Sequence, residues 1–350
     1  MLGGAPGVDI QIVRRMKNNS RNTINVAQFG VGYWGPNLLR NLISNPRFNV
    51  RTVVDLSETR RDFVKNLYPE VHVDSTPEVV FENPNIDAVV IATPVATHYD
   101  LAIRAVKSGK HVLVEKPMAI RVNEVEDIGY AAGDRKVVAM VGHTFLFNQA
   151  VRYVKGLIDR GELGDIRYIY SQRVNLGRIR NDVDALWNLA PHDVSIIQYW
   201  LDDPNPASIS KIGMDYVQKG IDDVVFLNVT YPNNVMAHIH VSWLDPHKVR
   251  KMTVVGSKKM VVYDDLAENK IAVFDKGIDP LAVLGNSMDF DDPSILEFNH
   301  RSGDVIYPQV DWKEPVKVEI DHFADCIISG EKCITDSKHA ARVVDILSRA

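Results

Sequence analysis

The sequence predicts an α/β protein with two domains, and three observations support this prediction. A glycine-rich turn at residues 30–35 follows an apolar run rich in strand-forming residues. Short apolar runs then alternate with helix-compatible segments up to about residue 143, which is typical of a parallel sheet with right-handed crossovers. Beyond that point, longer strand-like segments follow one another with turns between them, which is typical of an α+β domain with a large, mostly antiparallel open sheet.

The glycine-rich turn has the spacing G-x-G-x-x-G and carries its own chemical signal. Gly30 allows a tight turn off the first strand, Gly32 lets the backbone approach a pyrophosphate, and Gly35 lets the next helix pack closely. Asp55 ends the second apolar run, where a carboxylate accepts hydrogen bonds from ribose hydroxyls and repels a 2′-phosphate. The segment therefore predicts an N-terminal Rossmann domain that binds NAD in preference to NADP. A purely structural turn is the alternative.

Composition narrows the classes of function. A length of 350 residues predicts two domains, and a net charge of −5 makes nucleic acid an unexpected partner. No apolar run approaches the roughly 20 residues that span a bilayer, so we expect no membrane association and a cytoplasmic protein. Residues 1–22 lack the apolar stretch of a secretory signal and are expected to form a flexible tail. Cys326 and Cys333 are too few and wrongly spaced for a zinc site, so we expect reduced thiols and no metal.

The first domain, residues 23–143, reads as alternating strands and helices. Its uninterrupted apolar runs indicate strands buried on both faces. Pro36 suits a first helical turn, Ser57 suits an N-cap, and Gly109 and Gly133 suit positions just after a helix. The expected strands are Ile24–Phe29, Val50–Asp55, Val71–Val73, Ala88–Ala92, His111–Glu115 and Val137–Val141, and the expected helices are Pro36–Ser44, Ser57–Asn66, Thr97–Ser108 and Asn123–Ala132.

The second domain, residues 144–350, is expected to bind the substrate and to form oligomer contacts. An amphipathic helix ended by Gly161 opens it, and hairpin turns such as residues 231–234 separate its strands. Residues 279–304 are polar and irregular, and we expect a loop there. The expected strands are Ile166–Val174, Ala207–Gly213, Val224–Tyr231, Val235–Trp243, Lys251–Val255, Met260–Tyr263 and Ile271–Phe274, and the expected helices are Gln149–Arg160, Asp193–Trp200, Glu319–Ser329 and Ser337–Ser348.

Polar residues follow several of the predicted parallel strands. They occur in the segments Thr93–His98, Glu115–Pro117 and Gly142–Thr144. Because ligands bind beyond the carboxyl ends of such strands, we expect these segments to converge where a nicotinamide would lie.

These motifs resemble the Gfo/Idh/MocA oxidoreductase family. The resemblance rests on the glycine-rich turn with Tyr33 and Trp34, on Thr93-Pro94 with His98, on Glu115-Lys116-Pro117, and on the run Trp187–Asp193. It implies an NAD(P)-dependent enzyme acting on sugar hydroxyl groups. In the family the peptide bond that corresponds to Lys116–Pro117 is often cis, so the resemblance implies a cis bond here. The cofactor-binding residues it implies are Gly30, Gly32, Tyr33, Trp34, Gly35, Asp55, Thr93, Pro94, His98, Glu115 and Lys116.

The resemblance also implies two catalytic residues. Lys116 would hydrogen-bond the reacting oxygen, and His192 would act as the general base. The alternatives are a surface lysine and a histidine that caps the helix beginning near Asp193. The family often carries an acid one turn before the histidine, whereas this chain has Asn188, for which Asp184 or Asp193 would have to compensate.

The implied reaction is hydride transfer between a sugar and nicotinamide, with the C3 hydroxyl of a nucleotide sugar most favoured. The alternatives are a dehydrogenase of free polyols, inositols or aldoses, an NAD-dependent glycosidase of the same family, and a non-catalytic NAD-binding regulator. A homodimer or homotetramer through the C-terminal sheet is a family-level expectation. His238 and His240 share a strand face, but with no third ligand evident they predict no metal. The candidate substrate-binding residues are His143, Arg173, Asn188 and Trp243.

Overall fold

The computed structural model describes residues 23–177, 179–280 and 298–350, and the predicted tail 1–22 lies outside these ranges. The described chain forms two compact units. Unit 1 comprises the residues up to Thr144 together with Val316–Ala341, and unit 2 comprises Phe145–Pro315 together with Arg342–Ala350. No helix in the described ranges combines the length and the apolar character of a membrane span.

Unit 1 includes a late segment that the sequence places with the second domain. The ring of Phe323 stacks on that of Phe48, with 6.2 Å between the centroids. The guanidinium of Arg47 binds the carboxylates of Asp321 and Asp325. These contacts join residues more than 270 positions apart in the chain, a separation over which a local pattern carries no information.

Unit 1 is built on a six-stranded parallel sheet in the order β3-β2-β1-β4-β5-β6, which confirms the predicted Rossmann sheet. The four residues of β4 are all buried, as expected for a strand covered on both faces. The strands are β1 Ile24–Phe29, β2 Phe48–Val54, β3 His72–Asp74, β4 Ala88–Ile91, β5 His111–Glu115 and β6 Ala139–Gly142; the helices are α1 Gly35–Ser44, α2 Glu58–Leu67, α3 Glu78–Phe81, α4 His98–Lys107 and α5 Val122–Arg135.

Two helices of unit 1 differ from the sequence prediction. Helix α5 continues through Gly133 and ends at Arg135, and Lys136, with a left-handed φ of 55°, is its C-cap. Gly133 was therefore the wrong end point, because a glycine inside a helix costs about 1 kcal/mol relative to alanine without ending the helix. Helix α3 was not predicted, because its four residues are too short to show a helical period.

Unit 2 contains an eight-stranded sheet in the order β14-β13-β12-β11-β7-β10-β9-β8. All neighbouring pairs are antiparallel except β7 with β10, which confirms the mostly antiparallel sheet. The strands are β7 Ile166–Leu176, β8 Ser208–Met214, β9 Val224–Thr230, β10 Met236–Ser242, β11 Leu244–Gly256, β12 Met260–Asp264, β13 Ile271–Pro280 and β14 Phe298–Ile306, and the helices are α6 Gln149–Asp159 and α7 Ala185–Trp200. Two later helices follow: α8 Pro315–Ile328 belongs to unit 1 from Val316 onward, and α9 Ser337–Arg349 is divided between the units after Ala341.

One face of this sheet carries exposed apolar side chains. Phe226 on β9 pairs beside Ile212 on β8 and His240 on β10. Phe226 and Ile212 are both exposed, while their neighbours Val225 and Leu227 are buried on the opposite face. The alternation matches the predicted open sheet, in which one face packs on the core and the other does not.

Two predictions for unit 2 were wrong. Helix α7 begins at Ala185 rather than near Asp193, because the Asp184 carboxylate accepts a hydrogen bond from the Trp187 amide and caps the helix there. The predicted loop 279–304 is partly strand, since β13 runs to Pro280 and β14 begins at Phe298. The remainder of that predicted loop, 281–297, lies outside the described residues.

The glycine-rich turn between β1 and α1 is shaped by close backbone contacts. Gly30 has a left-handed φ of 86°, and a Cβ atom there would lie 2.5 Å from the Ala92 carbonyl oxygen. A Cβ atom at Gly35 would lie 2.4 Å from the Gly30 carbonyl oxygen. A Cβ atom at Gly32, in contrast, would have no neighbour within 4 Å. The first and third glycines are therefore required by packing, whereas Gly32 is not.

We expect Gly35→Ala to lower the free energy of unfolding of the chain by about 1–3 kcal/mol, because the Gly30 carbonyl group must move to admit the methyl group. Gly32→Ala is the matched control and should leave that free energy within about 0.5 kcal/mol of the parent. Denaturant titration followed by circular dichroism measures both variants. Equal stability of the two variants would contradict the packing role of Gly35.

Candidate active site

The turn of unit 1 presents backbone amides without a side-chain cap. Trp34 is the N-cap of α1 and makes no capping hydrogen bond, and Pro36 lies in the first turn. The open space at Gly32 lies on the same turn. Uncapped N–H groups at a helix N-terminus attract phosphate, so these residues fit the pyrophosphate of a dinucleotide.

Asp55 lies beside this turn and is fixed by it. Its carboxylate accepts one hydrogen bond from the Val31 amide at 2.8 Å and another from the Ser57 amide at 2.9 Å. A carboxylate has about four acceptor positions, so capacity remains for ribose hydroxyls. The Arg61 guanidinium donates to the carbonyl oxygens of Asp55 and Leu56, at 2.7 and 2.9 Å.

Two aromatic residues of the turn reach solvent. Tyr33 is 93% exposed and Trp34 is 37% exposed, which leaves their rings accessible to a ligand. Trp34 also lies close enough to Glu115, at the end of β5, to lower the pKa of that carboxyl group. The glycine-rich turn and the end of β5 are thus neighbours.

His98 connects the ends of β4 and β5. Its Nε2 lies 2.8 Å from the Thr93 carbonyl oxygen, and its Nδ1 lies 2.8 Å from the Pro117 carbonyl oxygen. The ring is buried, and this burial lowers the pKa of His98 while the two carbonyl groups act in the opposite direction. Both ring nitrogens therefore face the backbone, and His98 supports the segments that carry Thr93, Pro94 and Lys116.

Glu115 and Lys116 end β5 within this cluster. Burial raises the pKa of Glu115 to about 7, and the positive charge of Lys116 acts against that rise. The Lys116 amide donates to the Glu115 carboxyl group at 3.2 Å, while Glu115 Oε1 is buried with no hydrogen-bond partner. Such an orphaned acceptor fits a donor from a bound ligand. The Lys116–Pro117 peptide bond is cis, as the family resemblance implies.

The end of β6 adds residues that the sequence did not reveal. Glu319 of α8 accepts a hydrogen bond from the Thr144 hydroxyl at 2.9 Å, and burial, followed by the Glu115 charge, raises its pKa well above the usual range. The His143 ring contacts that of His339 edge-on at 5.1 Å, and burial lowers the pKa of His143. The sequence pattern that could have identified Glu319 is a charged residue on an otherwise apolar face of the predicted helix.

In unit 2, His192 lies within helix α7 and not at its start. Its ring packs edge-on against Phe145, with 5.0 Å between the centroids. Since the helix begins at Ala185, the alternative that His192 caps a helix beginning near Asp193 is wrong.

Arg173 and Asp193 form a buried ion pair beside His192. The guanidinium donates from Nε and Nη2 to the two carboxylate oxygens at 3.0 and 2.9 Å. The same guanidinium lies over the Phe145 ring, 4.7 Å from its centroid. Arg173 thus anchors the α7 helix, and Asp193 pairs with Arg173 instead of compensating for Asn188.

Trp243 is 1% exposed and lies against α7. Its indole N–H donates to the Asn188 side-chain oxygen at 3.4 Å. A ring this buried has no free face for a sugar, so Trp243 acts through packing. Asn188 lies one helical turn before His192, in the position where the family often has an acid.

His238 and His240 pack on Phe226 of the neighbouring strand. The His240 ring stacks on Phe226 with 4.3 Å between the centroids, and His238 Nδ1 lies 2.7 Å from the Asn228 side-chain oxygen. These contacts account for both histidines as parts of the sheet face.

The structure therefore brings together the unit 1 candidates at one edge of the parallel sheet. Hydrogen bonds join the Gly30 turn to Asp55 and His98 to both Thr93 and Pro117, and Trp34 lies close to Glu115. In unit 2, Phe145 lies against both His192 and Arg173, and Asn188 contacts Trp243.

Known proteins are similar to this chain in sequence and in fold. The chain is 31% identical to the uncharacterized oxidoreductase YdgJ of Escherichia coli (strain K12) over 183 residues, which are 49% of this chain and 51% of YdgJ. The chain thus spans about half the length of that relative. It is also 25% identical over 321 residues to the scyllo-inositol 2-dehydrogenase (NAD(+)) of Bacillus subtilis (strain 168), covering 88% of this chain and 87% of that enzyme.

A solved structure has the same architecture. The UDP-N-acetylglucosamine 3-dehydrogenase GnnA from Acidithiobacillus ferrooxidans superposes with a TM-score of 0.77 at 19% identity, over 93% of this chain and 96% of GnnA. An identity this low shows the fold. Residues 24–143 match the family model of an oxidoreductase with an NAD-binding Rossmann fold, and residues 151–262 match the corresponding C-terminal domain. With the glycine-rich turn, Asp55 and the Glu115-Lys116-Pro117 strand end in place, this chain belongs to the Gfo/Idh/MocA oxidoreductase family.

Proposed function

We propose that the protein is an NAD-dependent dehydrogenase that oxidises a secondary hydroxyl group of a sugar or polyol. The observation that carries the proposal is the strand-end cluster of unit 1. There an open, uncapped glycine-rich turn and an anchored Asp55 share one sheet edge with Glu115 and Lys116. The glycine-rich turn and Asp55 suit a dinucleotide, and Glu115 and Lys116 would supply an acceptor and a cation at its reacting end.

We assign each part of the dinucleotide to different residues of unit 1. The turn at Gly32 and the first amides of α1 would hold the pyrophosphate, and Asp55 would accept hydrogen bonds from the adenosine ribose. Glu115 would accept from the nicotinamide ribose through its unpartnered oxygen. NAD, when bound, supplies the acceptor for the hydride. Asp55 supports NAD over NADP, because a 2′-phosphate would meet a carboxylate.

Lys116 is the residue to which we assign the substrate oxygen. An ammonium group donates hydrogen bonds to the hydroxyl group and stabilises negative charge that develops on its oxygen. Its backbone is fixed by two neighbours, since the Lys116 amide binds Glu115 and the Pro117 carbonyl contacts His98. A fixed backbone limits where the ammonium group can reach, as positioning for catalysis requires.

His192 is the residue to which we assign proton removal from the hydroxyl group. An imidazole changes charge near neutral pH and suits a general base. Its place on α7 is held by the Arg173–Asp193 pair and the Phe145 ring. Asn188 leaves the preceding turn without a carboxylate, so imidazolium gains less stabilisation than in relatives with an acid there.

For the substrate, we favour the C3 hydroxyl of a nucleotide sugar. The support is the likeness of the glycine-rich turn and the Trp187–Asp193 run to family members that act on nucleotide sugars. A free inositol-type polyol is the second candidate, because the relative from Bacillus subtilis that aligns over 88% of this chain is a scyllo-inositol 2-dehydrogenase.

We expect NADH to form when the protein is mixed with NAD⁺ and a UDP-N-acetylhexosamine, as followed by NADH absorbance. NADH formation with a panel of inositols and aldoses would instead favour the second candidate, a free polyol. Isothermal calorimetry with UDP alone measures whether the protein binds the nucleotide part of a nucleotide sugar. Sugar release without net NADH would indicate a glycosidase. Cofactor binding without turnover on any member of the panel would contradict a dehydrogenase and favour a regulator.

We expect Gly32→Ala to weaken NAD⁺ binding by about 10- to 100-fold, because the added methyl group occupies the space assigned to the pyrophosphate and overpacking costs about 1–3 kcal/mol. Calorimetric titration measures this change, and the same titration with NADP⁺ should show weaker binding to the parent protein. Gly133→Ala, which also adds a methyl group in open space, is the matched control. An unchanged NAD⁺ affinity in Gly32→Ala would contradict the proposal that this turn binds the pyrophosphate.

We expect Lys116→Met and His192→Asn each to lower kcat by about 10²–10⁴-fold while NAD⁺ affinity stays within about threefold. Steady-state kinetics and calorimetry measure the two effects separately. Lys107→Met and His247→Asn are controls, since both residues are exposed. Full activity in either active-site variant would contradict the role assigned to that residue.

A further inference from the structure

A cluster of one imidazole and two thiols lies in the part of unit 1 formed by residues 316–341. His322 and Cys326 are on α8, separated by one helical turn, and Cys333 lies in the connection to α9. One ligand atom from each of the three residues lies within 4.8 Å of the other two. His322 and Cys326 are buried, at 5% and 4% exposure, and none of the three has a role in the proposed reaction.

One distance in the cluster matches the separation of two ligand atoms around a single metal ion. The Cys326 Sγ atom is 3.4 Å from His322 Nε2. Metal–sulfur and metal–nitrogen bonds of about 2.3 and 2.0 Å at a tetrahedral angle separate the two ligand atoms by about 3.5 Å. The existing separation therefore needs almost no adjustment to admit an ion.

The surroundings of His322 prepare its Nε2 atom as a ligand. The Ile334 amide donates to Nε2 at 3.0 Å, so Nε2 carries a lone pair and the ring proton resides on Nδ1. The Glu331 carboxylate lies 3.5 Å from Nδ1. A carboxylate on the remote nitrogen is the usual orienting partner of a metal-bound imidazole.

We propose that His322, Cys326 and Cys333 bind a soft or borderline divalent metal ion of the zinc class. Two thiolates and one imidazole favour such an ion over magnesium or calcium. The ion would replace the Ile334 hydrogen bond at Nε2 and displace the two thiol protons. Three protein ligands leave a fourth position for water, and Glu331 acts on the ion only through the His322 ring.

The site would join a helix to a segment that supports the parallel sheet. Two residues after Cys333, the Thr335 carbonyl oxygen accepts a hydrogen bond from the Val141 amide of β6 at 2.9 Å. Asp336 forms a bridge with Met140 on the same strand. Metal binding would therefore tie α8 to the end of the strand that precedes His143. This proposal departs from the sequence-based prediction of no metal, which did not consider the cysteines together with His322, because a spacing of four and then seven residues matches no common zinc motif.

The test uses the reduced full-length protein, stripped with a chelator and titrated with Co²⁺. We expect one equivalent to produce thiolate-to-cobalt charge-transfer absorption and the ligand-field bands of a tetrahedral ion, and Zn²⁺ to abolish both. Cys326→Ser and Cys333→Ser should each lose most of the charge-transfer absorption. Glu331→Gln should keep the spectrum but weaken affinity by about 10- to 100-fold.

The matched control is His72→Asn, which removes another histidine that lies beside a carboxylate in unit 1. It should leave the cobalt spectrum and affinity unchanged. Absence of charge-transfer bands from the reduced parent protein at one equivalent would overturn the proposal. Equal effects of Glu331→Gln and His72→Asn on cobalt affinity would also overturn it. So would a protein that binds neither Co²⁺ nor Zn²⁺ and that loses the mass of two hydrogens on oxidation, because that loss indicates a disulfide between the two cysteines.

Discussion

The buried side chain of Gln28 holds the feature on which the unit 1 site depends. Its amide donates to the carbonyl oxygens of Gly30 and Gly35, both at 2.9 Å. These two bonds connect the end of β1 to the start of α1, across the closest backbone contact of the turn. Loss of a buried donor leaves its acceptors unsatisfied, at a cost of about 1–3 kcal/mol for each. The Val31 amide of the same turn donates to the Asp55 carboxylate, so the two Gln28 bonds also support the carboxylate that we propose binds the adenosine ribose.

Electrostatics at the ends of β5 and β6 depends on burial more than on pairing. Burial is the largest cause of the raised pKa of both Glu115 and Glu319, and the Glu115 charge raises the pKa of Glu319 further. His143, buried beside the Lys116 charge, has its pKa lowered and stays neutral at neutral pH. Burial thus shifts the carboxyl groups of Glu115 and Glu319 and the imidazole of His143 toward their neutral forms at the strand ends beside Lys116.

The sequence predicted those features that local patterns encode. Strand runs, the glycine spacing and the Ser57 cap each lie within a few residues, and the structure confirms them. Local sequence patterns did not predict contacts between segments that are distant in the chain. Glu319 meets Thr144 across 175 positions, and nothing local marks Arg173 as the partner of Asp193. The predicted substrate role of Trp243 likewise came from residue type alone, which does not report that the ring is 1% exposed.

The Arg173–Asp193 pair explains how His192 is held without an acid at position 188. A buried ion pair is costly to desolvate and strongly destabilising to break, so the bidentate geometry fixes both α7 and β7 at this level. Phe145 packs against both the Arg173 guanidinium and the His192 ring. The ring of His192 is thereby oriented through packing on an anchored partner. The Asn188 side-chain oxygen accepts a hydrogen bond from the Trp243 indole, so the helical turn before His192 is tied to the residue between β10 and β11.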